Sequence, residues 1–188
     1  MSPPSLSSTE PLLEVRNLTI RYREDDRQVT AARDISFTLR RGGSLAIVGE
    51  SGSGKSSVAG AILNFLGPAA EVTGAILFEG EDLTRLAPVR RRGILGRRIR
   101  AVFQDPFTAL NPALRVGRHI AEPMVQHLGL PLPEALRRAE IALHEMGIDR
   151  PAEVARAFPH QLSGGMKQRA LIAAALACEP PQIGRAHV

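Results

Sequence analysis

The fold of this chain follows from one glycine-rich stretch, Gly49-Glu50-Ser51-Gly52-Ser53-Gly54-Lys55-Ser56-Ser57. The stretch fits the pattern G-x-x-x-x-G-K-[ST], in which backbone amides surround phosphate groups and a lysine reaches the terminal ones. Its glycines let the backbone turn tightly and approach an oxyanion with no Cβ in the way. The sequence therefore predicts a binding site for a nucleoside triphosphate.

The segments on either side of this loop agree with that interpretation. Upstream, the apolar run at residues 44–48 predicts a short, buried, parallel strand. Downstream, residues 58–66 predict a helix that a Gly-Pro pair would end. A strand, a glycine loop and a helix N-terminus in this order direct several N–H groups at one concave point. We expect Lys55 to reach the β- and γ-phosphates and the Ser56 hydroxyl to bind Mg²⁺.

Composition excludes several other classes of protein. The chain has 188 residues, 44% of them hydrophobic and 23% charged, which is typical of a globular protein. The net charge of +5 is too diffuse to predict nucleic-acid binding, and we interpret the arginine-rich residues 90–100 as a solvated helix or loop face. Cys178 is the only cysteine and the histidines lack ligand spacing, so neither a disulfide framework nor a metal site of these residues is predicted. We find neither a secretory signal nor an apolar run of ~18 residues, so we expect the chain to meet a membrane only through a partner.

The pattern of the chain changes from strands to helices. Residues 1–11 are rich in Ser and Pro and predict a mobile leader. Strands are predicted at residues 13–22, 35–40, 74–80 and 99–103, and helices dominate from about residue 113. One helix carries an apolar stripe and ends at Gly147, and another runs from about 165 to 178. The stripe consists of Leu132, Leu136, Ala139, Leu143 and Met146. The sequence thus predicts an α/β core followed by a mostly helical part.

A second glycine motif begins that last helix: Leu162-Ser163-Gly164-Gly165-Met166-Lys167-Gln168-Arg169. Ser163 suits the N-cap, where its side-chain oxygen accepts from an orphan N–H of the first turn. The two glycines leave the neighbouring amides unobstructed, and the helix dipole adds about half a positive charge there. This motif predicts a second phosphate-binding helix start, although an ordinary serine-capped helix accounts for it equally well when it is taken alone.

Together the two motifs make the chain resemble the ATP-binding subunits of ABC transporters. Residues 49–57 match the Walker A loop of that family, and residues 162–168 match its signature. The resemblance implies that Gln104 is the Q-loop glutamine, which contacts Mg²⁺ and the attacking water, and that Tyr22 stacks on adenine. Residues 103–112 and the Pro-His-Gln before the signature resemble those of oligopeptide, dipeptide and nickel importers. The resemblance covers about residues 12–182.

The resemblance also implies a domain plan. We expect a P-loop NTPase core at residues 12–112, with the Walker A loop and the Q-loop, and a helical subdomain with the signature helix at 113–182. Family members continue into a hydrophobic strand whose Asp holds Mg²⁺ and whose Glu orients the attacking water. Residues 183–188 read Ile-Gly-Arg-Ala-His-Val instead, so we expect a non-native tail on a core that is incomplete at the C-terminus. The general-base carboxylate and the switch histidine are then absent, and we expect the parent protein, but not this chain alone, to be an ATPase.

Partners and cofactors follow from the same resemblance. It implies ATP and Mg²⁺, with the ATP on one subunit meeting Leu162, Ser163, Gly164, Gly165 and Gln168 of a second subunit arranged head to tail. It further implies two transmembrane permease subunits, an extracytoplasmic solute-binding protein, and a peripheral location on the cytoplasmic face of the inner membrane. The expected function is to power import of peptides or a similar solute.

Two other functions stay open at this point. One is a soluble ABC ATPase that acts on DNA or ribosomes, although such proteins usually carry coiled-coil insertions or tandem nucleotide domains. The other is a non-catalytic nucleotide-binding fragment, since the chain as given lacks the carboxylates named above.

Overall fold

Antiparallel strands form the first part of the chain. The computed structural model describes residues 11–24, 27–103 and 109–178. Within these ranges one sheet has the order β2-β1-β3-β4, and each neighbouring pair is antiparallel. Its strands are β1 (Pro11–Glu24), β2 (Arg27–Arg40), β3 (Ala70–Phe78) and β4 (Glu81–Asp82). Three of the predicted strands are confirmed, and the predicted leader lies outside the described residues except for Pro11, which begins β1.

A bulge explains why the apolar residues of β1 do not alternate strictly. Val15, Leu18 and Ile20 are all buried, at steps of three and then two residues. Asn17 has a φ of 48°, and the pairing register with β2 shifts between Val15 and Leu18. An extra residue of this kind returns the following side chains to the same face of the sheet. Gly74 of β3 faces the bulge so closely that a Cβ there would lie 2.5 Å from the Asn17 carbonyl oxygen.

Two predicted strands are wrong. Residues 44–48 and 99–103 adopt no strand conformation, and Leu45, Ile47 and Val48 are 44%, 43% and 88% exposed. A strand forms only where its N–H and C=O groups pair with a neighbouring strand. No strand within the described ranges pairs with either run. An apolar run predicts that a segment is buried, but it does not identify the segment that packs against it.

The helix after the phosphate loop begins and ends three residues earlier than predicted. α1 spans Lys55–Leu63 and packs on β1 and β2. Asn64 ends it in the left-handed conformation at φ 55°, with its N–H directed at the last carbonyl groups of the helix. Asparagine tolerates this conformation better than most residues, so the helix stops before the Gly-Pro pair that was expected to end it.

The arginine-rich run forms helix α2, Pro88–Arg97. Two of its arginines are bound rather than only solvated. Arg90 forms an ion pair with Glu81 at 2.7 Å, and Arg91 donates to the Asn64 side-chain oxygen at 2.5 Å. The predicted helix face is therefore confirmed for residues 90–97, but Arg98 and Arg100 lie outside α2, and two side-chain nitrogens of Arg100 are buried rather than solvated. Arg91 also supports the C-terminus of α1.

The chain divides into two compact units between Arg91 and Arg92, and the second unit is helical. Its later helices are α3 (Val116–Leu128), α4 (Leu132–Glu145), α5 (Pro151–Arg156) and α6 (Gly164–Leu176), with a 3₁₀ turn at Pro159–Gln161 before α6. The predicted stripe of α4 is confirmed. Ala139 and Leu143 are fully buried, and the other three members pack against the same apolar cluster. Gly147 follows α4 at φ 72°, and α6 ends two residues before Cys178.

His127 of α3 lies directly against Gly96 of α2. A Cβ at Gly96 would lie 2.1 Å from the imidazole ring, so the ring occupies the space of a side chain. Burial, together with the charges of Arg100 and Arg97, lowers the pKa of His127. The neutral imidazole is thus favoured at this helix contact.

Alanine normally stabilises a helix relative to glycine, but replacing Gly96 by alanine should not, because its Cβ would meet the His127 ring. Gly93 is the matched control, since it lies in the same helix and a Cβ there meets nothing within 4 Å. We expect Gly93→Ala to stabilise the full-length protein by up to about 1 kcal/mol. Gly96→Ala should be less stable than Gly93→Ala in thermal unfolding, because His127 must move. Equal stability of the two variants would contradict this contact.

Candidate nucleotide-binding site

The phosphate loop curves around the side chain of its own lysine. Lys55 Nζ donates to the Gly49 carbonyl at 2.8 Å and to the Glu50 carbonyl at 2.7 Å, and it lies 3.4 Å from Ser53 Oγ. Gly54 is the N-cap of α1 at φ 87°, and its carbonyl accepts from the Val58 N–H at 2.9 Å. The ammonium group therefore lies against two loop carbonyl oxygens, at the positive end of the α1 dipole. This arrangement can hold a polyanion.

A backbone contact with β2 holds this loop in place. A Cβ at Gly54 would lie 2.1 Å from the Ala31 carbonyl oxygen, so only glycine fits. Gly52 also has a positive φ, at 82°, but a Cβ there would meet nothing within 4 Å. The role of Ala31 was missed from the sequence, because a backbone carbonyl in a strand carries no residue signal.

The predicted ligand-binding residues have different surroundings. Gly49, Glu50, Ser51, Gly52, Ser53 and Ser56 are exposed, and Gly54, Lys55 and Ser57 are half-buried. The Tyr22 hydroxyl donates to Ser57 Oγ at 3.2 Å, which places this tyrosine beside the first turn of α1. Gln104, the other predicted Mg²⁺ ligand, lies outside the described residues. The structure thus brings Tyr22 to the loop and leaves the Gln104 assignment a prediction.

The second glycine motif begins α6 as predicted. Ser163 is the N-cap, and its Oγ accepts from the Met166 N–H at 3.4 Å. Leu162 is buried, whereas Ser163, Gly164, Gly165 and Gln168 are exposed. The amides of the first helical turn therefore stand at the surface of the second unit. A Cβ at Gly165 would meet nothing within 4 Å, so packing inside this unit does not require a glycine there.

Two absences hold within the ranges that the structure describes. There, no group of three or more His, Cys, Asp or Glu side chains is placed to hold a metal ion. In the same ranges, no helix has the length and apolar character needed to cross a membrane.

A glycine-rich loop beside an antiparallel sheet and a second, serine-capped helix start are the features that the sequence predicted for an ATP-binding cassette. Residues 32–183 match the ABC transporter family, and the chain belongs to that family. It is 40% identical over 170 residues to the oligopeptide transport ATP-binding protein OppD of Haemophilus influenzae, covering 90% of this chain and 53% of the relative. It is 44% identical over 173 residues to the dipeptide transport ATP-binding protein DppD of Bacillus subtilis, covering 91% and 52%. The chain thus spans about half the length of the curated relatives it matches.

Solved structures of cassettes have the same fold. The dimeric post-hydrolysis structure of the ATP-binding cassette MJ0796, bound to ADP and Pi, has a TM-score of 0.79 and 27% identity, covering 91% of this chain and 72% of that one. The structure of cbiO1 from Clostridium perfringens, part of the ABC transporter complex cbiONQ, has a TM-score of 0.69 and 29% identity, covering 92% and 64%.

The contact between Gly54 and Ala31 gives a test of the loop. Gly52→Ala should cost about 1–2 kcal/mol, because alanine is strained at positive φ. Gly54→Ala meets the same strain and must also displace a strand carbonyl, so we expect a further loss of about 1–3 kcal/mol. Thermal or denaturant unfolding of the two full-length variants measures the difference. Equal losses would mean that β2 does not support the loop.

Proposed function

We propose that this chain is the nucleotide-binding part of a subunit that hydrolyses ATP to power import of peptides or a similar solute. The observation that carries the proposal is the position of Lys55 Nζ against the Gly49 and Glu50 carbonyls of the loop, at the start of α1. The names of the curated relatives, which are oligopeptide and dipeptide transport ATP-binding proteins, support the class of solute.

ATP and Mg²⁺ would bind through groups of this chain that suit them. The loop amides, the α1 dipole and Lys55 favour the β- and γ-phosphates. The exposed Ser56 hydroxyl, together with Gln104, would hold Mg²⁺, which when bound neutralises phosphate charge during transfer to water. Tyr22, whose hydroxyl donates to Ser57 in the first turn of α1, would stack on the adenine. In this proposal the chain's own residues bind and orient the phosphates.

The second helix start would act on a nucleotide held by another subunit. Ser163, Gly164 and Gly165 are exposed with their amides at the surface, which suits contact with a γ-phosphate across a head-to-tail dimer. The dimeric MJ0796 cassette, bound to ADP and Pi, supports this arrangement. Closure of such a dimer would place donors on both sides of the transferring phosphoryl group, where the developing charge needs them.

The remaining partners belong to the same proposal. Two transmembrane permease subunits would receive the movement of the dimer, and an extracytoplasmic solute-binding protein would deliver the solute to them. The cbiO1 structure, described as part of a transporter complex, supports a permease partner. The chain would then lie peripherally on the cytoplasmic face of the inner membrane.

Loss of the Lys55 ammonium should weaken nucleotide binding. A charge-assisted hydrogen bond is worth about 1.5–3 kcal/mol, so we expect Lys55→Ala to weaken ATP binding by the full-length protein at least ~10-fold in calorimetry. Arg92→Ala is the control, because it removes the same charge from an exposed side chain of α2. Parental affinity in Lys55→Ala would refute the phosphate-loop assignment.

The signature motif should matter for turnover rather than for first binding. In the full-length protein, Ser163→Arg should leave ATP binding by the monomer within about twofold and abolish ATPase activity, because the arginine would stand between subunits. Gly165→Ala separates this effect from folding, since its Cβ has free space within the chain. We expect this variant to melt at or above the parental temperature and to hydrolyse ATP more slowly. If both variants hydrolyse ATP at the normal rate, the motif is better interpreted as an ordinary serine-capped helix without a role in ATP hydrolysis.

A further inference from the structure

The segment just before the signature motif is internally well bonded. We name residues 156–162, from the last residue of α5 to the first residue of the signature motif, the connector. The Phe158 N–H donates to the Gln161 side-chain oxygen at 2.7 Å, and the Gln161 N–H donates back to the Phe158 carbonyl at 3.0 Å. The Leu162 N–H donates to the Pro159 carbonyl at 3.2 Å, and the Leu162 side chain is buried. The position of the connector therefore sets the position of the α6 N-terminus that follows it.

Arg115, the residue before α3, contacts this connector twice. Its NH1 donates to the Arg156 carbonyl at 2.8 Å, and its guanidinium carbon lies 5.3 Å from the centre of the Phe158 ring. The next residue adds a backbone contact, since the Val116 N–H donates to the Ala157 carbonyl at 2.9 Å. Arg115 is the N-cap of α3 but makes no side-chain capping bond, so its guanidinium serves the connector rather than its own helix.

The segment before Arg115 is bonded in the same manner. The Asn111 side-chain oxygen accepts from the Ala113 N–H at 3.0 Å, and the Asn111 carbonyl accepts from the Leu114 N–H at 3.1 Å. His119 Nε2 lies 2.9 Å from that same carbonyl. One continuous set of contacts therefore leads from Asn111, seven residues after Gln104, through the start of α3 to the connector.

We propose that Arg115 is a positioning residue for the signature motif, and that it holds the connector so that Ser163 and Gly165 present their amides correctly. The proposal rests on the proposed function, in which those amides meet a nucleotide on the second subunit. Arg115 itself touches no nucleotide in this account. It acts through the carbonyl of Arg156 and the ring of Phe158, and a shift of residues 111–115 would pass through it to the start of α6.

Arg118 supplies a matched control. Both arginines line the same cavity of about 500 Å³, one helical turn apart. Arg118 faces Glu122 of its own helix, with 3.9 Å between the charged groups. Removing it therefore takes the same charge from the same cavity while the two Arg115 contacts to the connector remain.

The experiment compares Arg115→Leu, Arg115→Lys, Phe158→Leu and Arg118→Leu in the full-length protein. For each variant, kcat and KM for ATP, the equilibrium Kd for ATP and the melting temperature are measured. Arg115→Leu removes a cation–π contact and a hydrogen bond, so we expect kcat to fall about fivefold to tenfold. The Kd for ATP should stay within about twofold of the value for the unsubstituted protein. Arg115→Lys keeps a cation over the ring and should recover part of kcat, and Arg118→Leu should retain parental kcat.

Phe158→Leu should also lower kcat, and it should add little to the effect of Arg115→Leu, because Arg115→Leu already removes the contact between these two side chains. Three results would each overturn the proposal. The first is an unchanged kcat in Arg115→Leu, and the second is an equal loss of kcat in Arg115→Leu and Arg118→Leu. The third is a loss of ATP affinity that parallels the loss of kcat. If Arg115→Leu does not fold, Arg115→Lys and Phe158→Leu decide by the same criteria. If the unsubstituted full-length protein neither binds nor hydrolyses ATP, the proposed function itself is refuted.

Discussion

The phosphate loop stands on the sheet through a backbone contact in which Gly54 faces the carbonyl of Ala31. Because no side chain fits between them, the start of α1 can approach β2 more closely than any other residue would permit. The positions of Lys55 and Ser57 follow from that start, and Ser57 in turn meets the Tyr22 hydroxyl. The close approach of Gly54 to a strand carbonyl thus brings the start of α1, with Lys55 and Ser57, next to β2.

The N-terminus of α6 also exposes backbone amides, but a serine cap and a buried leucine position it. Ser163 caps α6 with its side chain, and the buried Leu162 before it fixes the motif to the helical unit. The amides that follow are exposed, and Gly165 has open space around it. The exposure of Gly165 fits the proposed contact with another subunit. The connector and Arg115 then explain how this surface keeps its place.

The apolar runs at 44–48 and 99–103 show where strand prediction from local sequence fails. Both have the composition of buried strands, yet neither pairs with a strand within the described ranges. By contrast, β1 forms with a bulge at Asn17 that its irregular alternation hinted at. Local hydrophobicity states how strongly a segment prefers burial. Pairing depends on a second segment at a distance, which a single run of residues does not identify.

The sequence by itself determined the class of site and most of the elements that carry it. Two glycine motifs at helix starts, a serine cap and a stripe with helical spacing are local signals, because one turn of chain suffices to produce them. Only the tertiary structure decided that Tyr22 reaches Ser57, that Ala31 excludes a side chain at Gly54, and that Arg115 holds the connector. Each of these contacts joins residues far apart in the chain, and two of them use backbone carbonyls, which every residue carries and no sequence pattern distinguishes.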